Sequence, residues 1–399
     1  MDITITPRKL SGVLTSIPSK SQAHRLLICA AFSDRRTTIY CPETNLDIQA
    51  TADCLNALGA RICHKDGYYT VDPIGTVPEK ALLPCNESGS TLRFMLPIIG
   101  ALGVDSKFVL SGRLSKRPLS PLWEEMERMG CKLSWLTESI LRCTGRLQPG
   151  RYIIDGGVSS QFITGLLFAM ALMDEKSTLT VTGKTESAPY IKMTQDALAT
   201  FGVSCENYCV GGSRPFLSPG SICVEGDWSN AAFFLAANTL GNRLIVNNLN
   251  MESSQGDKVV LHALAQLKDN CAISGANIPD LIPILSVVAA ANCGASFTEI
   301  GRLRLKESDR VNSVISMLMA LGIRAEATET TLTVYPGKIR GGVVDSENDH
   351  RIAMSAAIAA TVAEGPVTIL GAQCVAKSYP AFWDEYRRLG GSYEQYIRK

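Results

Sequence analysis

The chain lacks an excess of charge of either sign. Its 39 Lys and Arg residues balance 38 Asp and Glu residues, which gives a formal net charge of +1 over 399 residues. No overall field therefore favours nucleic acid or an anionic membrane, and any anion binding must come from local groups of basic side chains. Hydrophobic residues make up 46% of the chain and charged residues 19%, a composition that excludes a disordered protein and suits two ordinary domains.

Long apolar runs and paired cysteines are also missing. No stretch approaches the roughly 18 apolar residues that a membrane-spanning helix needs. The N-terminal segment MDITITPRKL alternates like a strand and has no apolar centre of the kind found in a signal peptide. The 13 cysteines are scattered and form no C-x-x-C pair, which favours reduced thiols over a disulfide framework or a zinc ribbon. We therefore expect a soluble cytoplasmic protein.

The sequence signatures of metal, nucleotide and serine-hydrolase chemistry are absent as well. The histidines form no i, i+4 pair and have no cysteine at ligand spacing; they are His24, His64, His262 and His350. There is no G-x-S-x-G, no G-x-x-x-x-G-K-[ST] and no G-x-G-x-x-G segment. These absences argue against a bound metal, a Ser triad, ATP hydrolysis and NAD chemistry.

One segment recurs six times along the chain. Each copy has a short polar turn followed by an apolar stretch of helical length: LLICAAF, LRFMLPII, FITGLLFAM, AAFFLAA, LIPILSVVAAA and IAMSAAIAA. The polar turns contain Ser, Asn or Asp, which cap the free N–H groups of a first helical turn. They lie at 19–21, 88–91, 159–161, 227–230, 279–280 and 348–351. Because a helix without a polar face has to be buried, the pattern predicts six interior helices with polar N-termini.

A second, amphipathic segment alternates with the first. Five of its six copies end in glycine, as a helix closed by a C-terminal glycine would: Gly59, Gly130, Gly202, Gly322 and Gly390. Short β-branched runs fill the gaps, for example at 179–183, 331–334 and 367–370. The repeat is therefore about 70 residues of strands with one buried and one exposed helix, shortened in the fourth copy. Six copies predict an α/β protein with two domains of three repeats each.

The polar turns before the buried helices carry side chains that suit anion binding, because free N–H groups and the helix dipole both favour negative charge there. In the first and third turns these side chains are Lys20, Ser21, Arg25, Ser159, Ser160 and Gln161. Each of them alone is more often a helix cap than a ligand site. Together they favour a site for more than one phosphate or carboxylate.

Three further clusters concentrate charge: SKRP at 115–118, RLKESDR at 304–310 and NDHR at 348–351. Each has an ordinary interpretation beside the functional one. RLKESDR can be a solvated, salt-bridged helix start, and NDHR can be a cap with an exposed Arg351. Asp280, which precedes an apolar stretch, can be an ordinary N-cap.

Nine motifs, in order, make the chain similar to the 5-enolpyruvylshikimate-3-phosphate synthase family (3-phosphoshikimate 1-carboxyvinyltransferases). The first five are PSKSQAHR at 18–25, ESGSTLR at 87–93, KRP at 116–118, SSQF at 159–162 and SAPY at 187–190. The others are IPD at 278–280, RLKESDR at 304–310, NDHRIAM at 348–354 and AKSYP at 376–380. The resemblance runs from about Thr4 to Tyr386. Each motif alone is a weak match, and nine in order are specific.

The resemblance implies a two-domain inside-out α/β barrel of the enolpyruvyl transferase type, built from six β-α-β-α-β-β repeats, three per domain. It implies an N-terminal domain at 12–226 that mainly binds shikimate 3-phosphate. The C-terminal domain would be discontinuous, at 1–11 plus 227–399, with crossovers near Gly12 and Gly226. The two domains would close around the substrates.

The implied reaction moves the enolpyruvyl group of phosphoenolpyruvate to the 5-hydroxyl of shikimate 3-phosphate and releases phosphate. The resemblance makes Asp280 the base at the 5-hydroxyl and leaves Glu307 and Lys20 as candidates for proton transfer at the methylene. It assigns phosphoenolpyruvate to Lys20, Gly89, Arg117, Gln161, Arg310, Arg351 and Lys377. It assigns shikimate 3-phosphate to Lys20, Ser21, Arg25, Ser159, Ser160, Gln161, Ser187, Asp280 and Lys306. It implies no metal or organic cofactor, and we expect a monomer that binds neither nucleic acid nor membrane.

The loop before the second buried helix departs from the family. Many members have Asn-Ala-Gly-Thr where this chain has Glu87-Ser88-Gly89-Ser90. A carboxylate beside an anionic substrate is unfavourable unless it points away or pairs with a cation, so we leave Glu87 out of the site. Gly89 is kept as a close-approach glycine, and it predicts sensitivity to glyphosate.

Two other functions stay open at this stage. The related enolpyruvyl transferases that act on UDP-N-acetylglucosamine usually have Lys-Asn in the first turn and a catalytic Cys on a mobile loop. Here the first turn has Lys20-Ser21, and the loop at 111–121 contains no Cys. A non-catalytic phosphate-ligand binding module would have lost a chemical residue, whereas Asp280, Glu307 and Lys20 are all present.

Overall fold

The computed structural model describes residues 1–211 and 215–396, and the chain divides into two compact units. The central unit is Pro18–Glu225, and the terminal unit combines Met1–Ile17 with the chain from Gly226 onwards. The first change of unit falls after Ile17 and not near Gly12, because the strand Ser11–Thr15 pairs in parallel with Arg243–Asn247 of the terminal unit. Among the described residues, no helix is long and apolar enough to cross a membrane.

The helices of the described residues are α1 Lys20–Ala31, α2 Leu46–Ala57, α3 Gly89–Leu102, α4 Leu122–Arg128, α5 Ser160–Ala171, α6 Ala188–Thr200, α7 Trp228–Thr239, α8 Val260–Gln266, α9 Ile282–Ala291, α10 Arg310–Ala320, α11 His350–Ala360 and α12 Phe382–Arg388. Short 3₁₀ helices lie at Leu114–Lys116, Gly256–Val259, Gly301–Leu305 and Ala372–Lys377.

The strands of the central unit are β3 Thr37–Tyr40, β4 Arg61–Lys65, β5 Tyr68–Asp72, β6 Lys80–Asn86, β7 Asp105–Leu110, β8 Cys131–Thr137, β9 Ile140–Gly145, β10 Arg151–Asp155, β11 Ser177–Thr182, β12 Cys209–Val210 and β13 Ser221–Cys223. Those of the terminal unit are β1 Asp2–Thr6, β2 Ser11–Thr15, β14 Arg243–Asn247, β15 Cys271–Ser274, β16 Ala295–Thr298, β17 Ala325–Ala327, β18 Thr331–Val334, β19 Gly342–Asp345, β20 Val367–Leu370 and β21 Ser392–Tyr396.

The sheets of the central unit repeat one arrangement. Their strand orders among the described residues are β13-β3-β5-β4, β6-β7-β9-β8 and β10-β11-β12. In each sheet, the strand that follows a buried helix pairs in parallel on one side and antiparallel on the other. The first sheet takes its parallel strand, β13, from the end of the unit, so the last repeat closes onto the first.

The terminal unit repeats the arrangement in the sheets β19-β20-β1-β21 and β15-β16-β18-β17. Strand β1 lies antiparallel between β20 and β21, so the start of the chain completes its last sheet. Strand β14 pairs with β2 in a described sheet of two strands, which confirms that the fourth repeat is shortened. The β-branched runs at 331–334 and 367–370 are strands β18 and β20, as predicted.

The six predicted interior helices are confirmed as α1, α3, α5, α7, α9 and α11. In α11 every residue from His350 to Ala360 is buried, and in α9 every residue from Ile282 to Ala290. Each unit encloses its own hydrophobic core, formed mainly by these helices and the inner faces of the strands. Because the helix sides are covered by apolar neighbours, the charged residues of these six helices lie at or near the helix N-termini.

Helices α3 and α5 approach each other more closely than side chains would allow. A Cβ atom at Gly165 of α5 would lie 2.2 Å from the carbonyl oxygen of Arg93 and 3.0 Å from Pro97 Cγ, both in α3. Pro97 has no N–H to offer the carbonyl oxygen of Arg93 four residues earlier, so α3 lacks a ladder hydrogen bond there. Gly165 fits against this opened turn, and the contact sets the position of the α3 turn that carries Arg93.

We predict that Gly165→Ala destabilises the protein by about 1–3 kcal/mol, because the new methyl group would overlap backbone that cannot move freely. This loss has to exceed the gain of about 1 kcal/mol that Ala normally brings to a helix. The measurement is the urea midpoint of unfolding. The matched control is Gly75→Ala, since a Cβ at Gly75 has no heavy atom within 4 Å. A Gly165→Ala protein as stable as the control would contradict the packing argument.

Candidate active site

Lys20, the first residue of α1, is held at the edge of the central unit by an acidic partner. Its Nζ donates to Asp47 Oδ2 at 2.8 Å, and both side chains are 16% exposed. Asp47 lies in the first turn of α2, where an acidic residue is ordinarily explained by the helix dipole. Sequence reasoning missed it for that reason. The pair keeps the Lys20 ammonium group partly accessible and fixed in direction.

Arg25 lies deeper and is 2% exposed. Its guanidinium donates to Thr194 Oγ1 at 2.9 Å, to the carbonyl oxygen of Tyr190 at 2.8 Å and to that of Ser21, and it lies over the Phe94 ring. Burial lowers the pKa of Arg25 to about 10. Arg25 therefore joins α1 to α6, and its binding of shikimate 3-phosphate stays a prediction. Ser187, at the start of α6, is also 2% exposed, and its binding role likewise stays a prediction.

Gly89 begins α3 directly beneath two guanidinium groups. A Cβ at this position would lie 2.7 Å from Arg117 Nη1 and 2.9 Å from Arg93 Nη1. The absence of a side chain at Gly89 therefore leaves space for both guanidinium groups beside the start of the helix. Arg93 was not among the predicted site residues. The available signal was a charged residue inside a stretch otherwise predicted to be buried.

Gln161 links the starts of α5 and α3. Its Oε1 accepts from Arg93 Nη1 at 2.9 Å, and its Nε2 donates to Ser90 Oγ at 2.9 Å. Ser159 caps α5 by accepting from the Gln161 N–H at 3.3 Å, so the ordinary capping interpretation holds for this serine. Ser160 follows it in the first turn and is 4% exposed. Gln161 thus links the third polar turn to the second, which contains Gly89.

Glu87 turns towards the loop that carries Arg117. A Cβ at Gly112 would lie 2.6 Å from Glu87 Cδ and within 2.9 Å of both carboxylate oxygens, so the carboxyl group lies directly against Gly112. Gly112 has a φ of +56°, which glycine adopts without strain. The departure from the family pattern is therefore accommodated by a contact between Glu87 and the beginning of this loop.

Arg310 is the centre of the terminal unit's polar cluster. Its guanidinium, 1% exposed, donates to Asp280 Oδ1 at 2.7 Å, to Glu307 Oε2 at 2.5 Å and to Asp349 Oδ2 at 2.9 Å. Burial alone would lower the pKa of Arg310, but Asp349, Glu307 and Asp280 raise it above its ordinary value. The solvated interpretation of RLKESDR is therefore wrong for Arg310. It holds only for the half-exposed pair Arg304–Asp309.

Asp280 is not the N-cap of α9. The capping position is Leu281, and the carboxylate of Asp280 instead contacts Arg310 and lies 3.5 Å from Arg351 Nη2 and 3.9 Å from Lys306 Nζ. Burial would raise the pKa of Asp280, but Arg351, Lys306 and Arg310 lower it well below its ordinary value. Asp280 is therefore a carboxylate, and its side chain is 21% exposed.

The other predicted cations of this unit are Arg351, Lys306 and Lys377, of which the first two lie beside Asp280. Arg351 is 5% exposed, so the interpretation of NDHR as a cap with an exposed Arg is wrong; the cap is Asp349. Burial lowers the pKa of Lys306 to about 8. Lys377 donates to the carbonyl oxygen of Asn348 at 2.8 Å. Asp349, which sequence reasoning took only as part of a cap, also anchors Arg310.

In each unit, therefore, basic side chains gather at the N-terminal ends of buried helices, and in the terminal unit they are paired with carboxylates. Groups of this kind are typical of proteins that bind substrates with several negative charges. Solved structures place the fold among the enolpyruvyl transferases. The chain matches EPSP synthase from Acinetobacter baumannii at 24% identity, with a TM-score of 0.78 over 99% of this chain and 100% of the other. It matches the enolpyruvyl transferase NikO from Streptomyces tendae at 17% identity, with a TM-score of 0.74 over 98% of each chain. The fold is the two-domain inside-out α/β barrel of this class.

The sequence comparisons identify the particular family. The sequence model of the EPSP synthase family (3-phosphoshikimate 1-carboxyvinyltransferase) matches residues 5–386 of this chain. The 3-phosphoshikimate 1-carboxyvinyltransferase of Clostridium beijerinckii is 38% identical, over 99% of both chains. The chain belongs to the EPSP synthase family.

We predict that Arg310→Gln destabilises the protein by about 3–5 kcal/mol, because it leaves buried carboxylates without their cation. Asp349, which is 0% exposed, loses the most. Lys338→Gln is the control, since it breaks a 3.4 Å pair with Glu364 whose side chains are 84% and 54% exposed. That change should cost at most about 1 kcal/mol. Urea unfolding measures both, and equal losses would refute the importance of the buried cluster.

Proposed function

We propose that Asp280 is the base in the reaction that family membership assigns to this chain. That reaction transfers the enolpyruvyl group of phosphoenolpyruvate to the 5-hydroxyl of shikimate 3-phosphate, in aromatic amino acid biosynthesis. The observation that carries the assignment is the carboxylate of Asp280, ionised and still 21% exposed among Arg310, Arg351 and Lys306. An ionised, accessible carboxylate is what a general base at an alcohol requires.

The same cations explain how a carboxylate with a lowered pKa can act as a base. Substrate phosphate and carboxylate groups are better partners for Arg351 and Lys306 than a single Asp280 side chain, because they carry more charge. When substrate anions pair with these cations, the ionised form of Asp280 loses part of its stabilisation and the pKa of Asp280 rises. Its basicity is then greatest when both substrates are present.

The proposed reaction has two steps, an addition and an elimination. Asp280 accepts the proton of the 5-hydroxyl while the hydroxyl oxygen bonds to carbon 2 of phosphoenolpyruvate, and an acid donates a proton to carbon 3. The tetrahedral adduct then loses phosphate from carbon 2, which takes up the proton held by Asp280, and a proton from carbon 3, which returns to the acid that donated it. Glu307 and Lys20 remain the two candidates for the proton at carbon 3. Glu307 lies 2.5 Å from Arg310 and Lys20 lies 2.8 Å from Asp47, so each is held in place by an ion pair.

We assign the basic and polar side chains described above to the two anionic substrates. For phosphoenolpyruvate we propose Lys20, Gly89, Arg117, Gln161, Arg310, Arg351 and Lys377. For shikimate 3-phosphate we propose Lys20, Ser21, Arg25, Ser159, Ser160, Gln161, Ser187, Asp280 and Lys306. Arg93 is added as a positioning residue, because it donates to Gln161 and lies against Gly89. Planar guanidinium groups suit both substrates, since they pair two-to-two with carboxylate or phosphate.

We also propose that the protein acts in the cytoplasm, as a monomer. All 13 cysteines lie in the described part of the chain and are free thiols, including Cys54 and Cys85 with sulfur atoms 3.9 Å apart. Free thiols are the expected state of cysteines in a reducing compartment such as the cytoplasm. Each unit has its own hydrophobic core, which supports the monomer. Light scattering after gel filtration tests the oligomeric state.

Release of phosphate from phosphoenolpyruvate tests the proposed function directly. We expect release with shikimate 3-phosphate as the acceptor and none with UDP-N-acetylglucosamine. Release with the sugar nucleotide alone, or with neither acceptor, would overturn the assignment.

We predict that Asp280→Asn lowers kcat by about 10²–10⁴-fold, because the amide keeps the shape of the side chain and loses the basic oxygen. KM values should change much less, since the cations remain. The control is Asp269→Asn, which removes the same charge from an exposed position after α8. Steady-state kinetics measure both variants. A kcat near that of the unchanged protein would remove Asp280 from the reaction.

We predict that glyphosate inhibits the enzyme by competing with phosphoenolpyruvate, and that Gly89→Ala weakens the inhibitor more than the substrate. The new methyl would lie 2.7 Å from Arg117 Nη1 and 2.9 Å from Arg93 Nη1, so both guanidinium groups must shift. Steady-state inhibition against phosphoenolpyruvate is the measurement, with Gly75→Ala as the control. Equal effects of Gly89→Ala on inhibitor and substrate would defeat the steric argument.

A further inference from the structure

Asp257 is a buried acidic residue that the proposed reaction does not use. It lies in the 3₁₀ helix Gly256–Val259, packed against the start of α7, and is 1% exposed. Its Oδ2 is hydrogen-bonded to the hydroxyl of Ser229. Its Oδ1 is buried and has no hydrogen-bond partner among residues 1–211 and 215–396. A charged carboxylate with one unsatisfied buried oxygen would be costly, whereas a neutral acid is much less so.

A short series of contacts joins Asp257 to the proposed base. The backbone carbonyl oxygen of Ser229 accepts from Arg351 Nη1 at 3.2 Å. The same guanidinium reaches the carbonyl oxygen of Asp280 and its Oδ2, each at 3.5 Å. Arg351 therefore contacts Asp280 directly and is linked to Asp257 through Ser229.

The surroundings of the two carboxyl groups shift their pKa values in opposite directions. Burial, followed by the charge of Asp280, raises the pKa of Asp257 to about 7; Asp227 adds to the rise, while Arg351 and the Ser229 hydroxyl oppose it. For Asp280 the nearby cations outweigh the effect of burial, and the pKa of Asp280 is lowered well below its ordinary value. Such a divergence between neighbouring carboxyl groups is a common sign of separate roles in a site.

We propose that Asp257 is a positioning residue for the phosphoenolpyruvate-binding cation Arg351, and that it works as a neutral carboxylic acid. While Asp257 is uncharged, it does not compete with Asp280 and the incoming anion for the charge of Arg351. An ionised Asp257 would attract Arg351 to itself and would repel the anion. The inference rests on the proposed roles of Arg351 and Asp280.

The other groups around Asp257 do not supply this dependence on pH. Asp227, the N-cap of α7, accepts from the Asn230 N–H at 2.7 Å, and Lys258, next to Asp257, donates outward to the carbonyl oxygen of Met251. Lys306 contacts Asp280, and its proposed ligand is shikimate 3-phosphate. A saturating concentration of shikimate 3-phosphate therefore keeps the titration of Lys306 out of the measured affinity for phosphoenolpyruvate.

The test is the KM for phosphoenolpyruvate between pH 6 and pH 9. In the unchanged protein we expect KM to rise by roughly tenfold above pH 7, as Asp257 ionises. Asp257→Asn cannot ionise and should remove most of this rise while keeping kcat. Ser229→Ala should move the rise to higher pH, because the hydroxyl that stabilises the ionised form is lost. The KM profile of the exposed control Asp269→Asn should follow that of the unchanged protein. The titration of phosphoenolpyruvate itself affects all four proteins equally, so it does not contribute to the differences between them.

Each outcome decides for or against the inference. An Asp257→Asn profile that coincides with that of the control, or a loss of kcat that is equal at every pH, would overturn it. If Asp257→Asn does not fold, an unshifted Ser229→Ala profile overturns it and a shift to higher pH supports it. Failure of the proposed function has a different result: Asp280→Asn would then turn over normally, whatever the Asp257 profiles show.

Discussion

Six helices without a polar face have to be buried, and this requirement places the chemistry of the molecule at their N-termini. In α11, for example, every residue is buried, and the charged side chains lie at its start, where Asp349 caps the helix and Arg351 lies in the first turn. The free N–H groups and the helix dipole at such a start favour negative charge. This arrangement recurs three times in each unit, and in the central unit Gln161 links the start of α5 to that of α3.

Fixed cations need fixed counter-charges when no substrate is present. In the terminal unit Arg310 is saturated by Asp280, Glu307 and Asp349. In the central unit Lys20 is paired with Asp47. These pairs hold the cations in place before substrate arrives, which reduces the cost of ordering them on binding. In the proposed reaction, substrate anions displace these counter-charges, and this exchange would couple substrate binding to the basicity of Asp280.

Close packing positions the cations of the central unit as firmly as charge does in the terminal unit. Gly165 lets α5 approach the turn of α3 that Pro97 has opened, and Gly89 leaves space beneath the guanidinium groups of Arg93 and Arg117. Both positions require the absence of a side chain, although neither has a positive φ. At Gly112 both constraints act together, because the residue has a φ of +56° and lies against the Glu87 carboxyl group.

The sequence by itself determined the repeat, the six interior helices, the strands at 331–334 and 367–370, the shortened fourth repeat and the family, because these depend on local periodicity, capping and motifs. It could not decide that β1 completes the last sheet, that Arg310 is buried among three carboxylates, or that Asp47, Arg93 and Asp349 belong to the polar clusters. It also could not distinguish Asp280 from an ordinary cap. Only the tertiary structure decided these points, because each depends on partners far apart in the chain, and burial and charge pairing arise only once those partners meet.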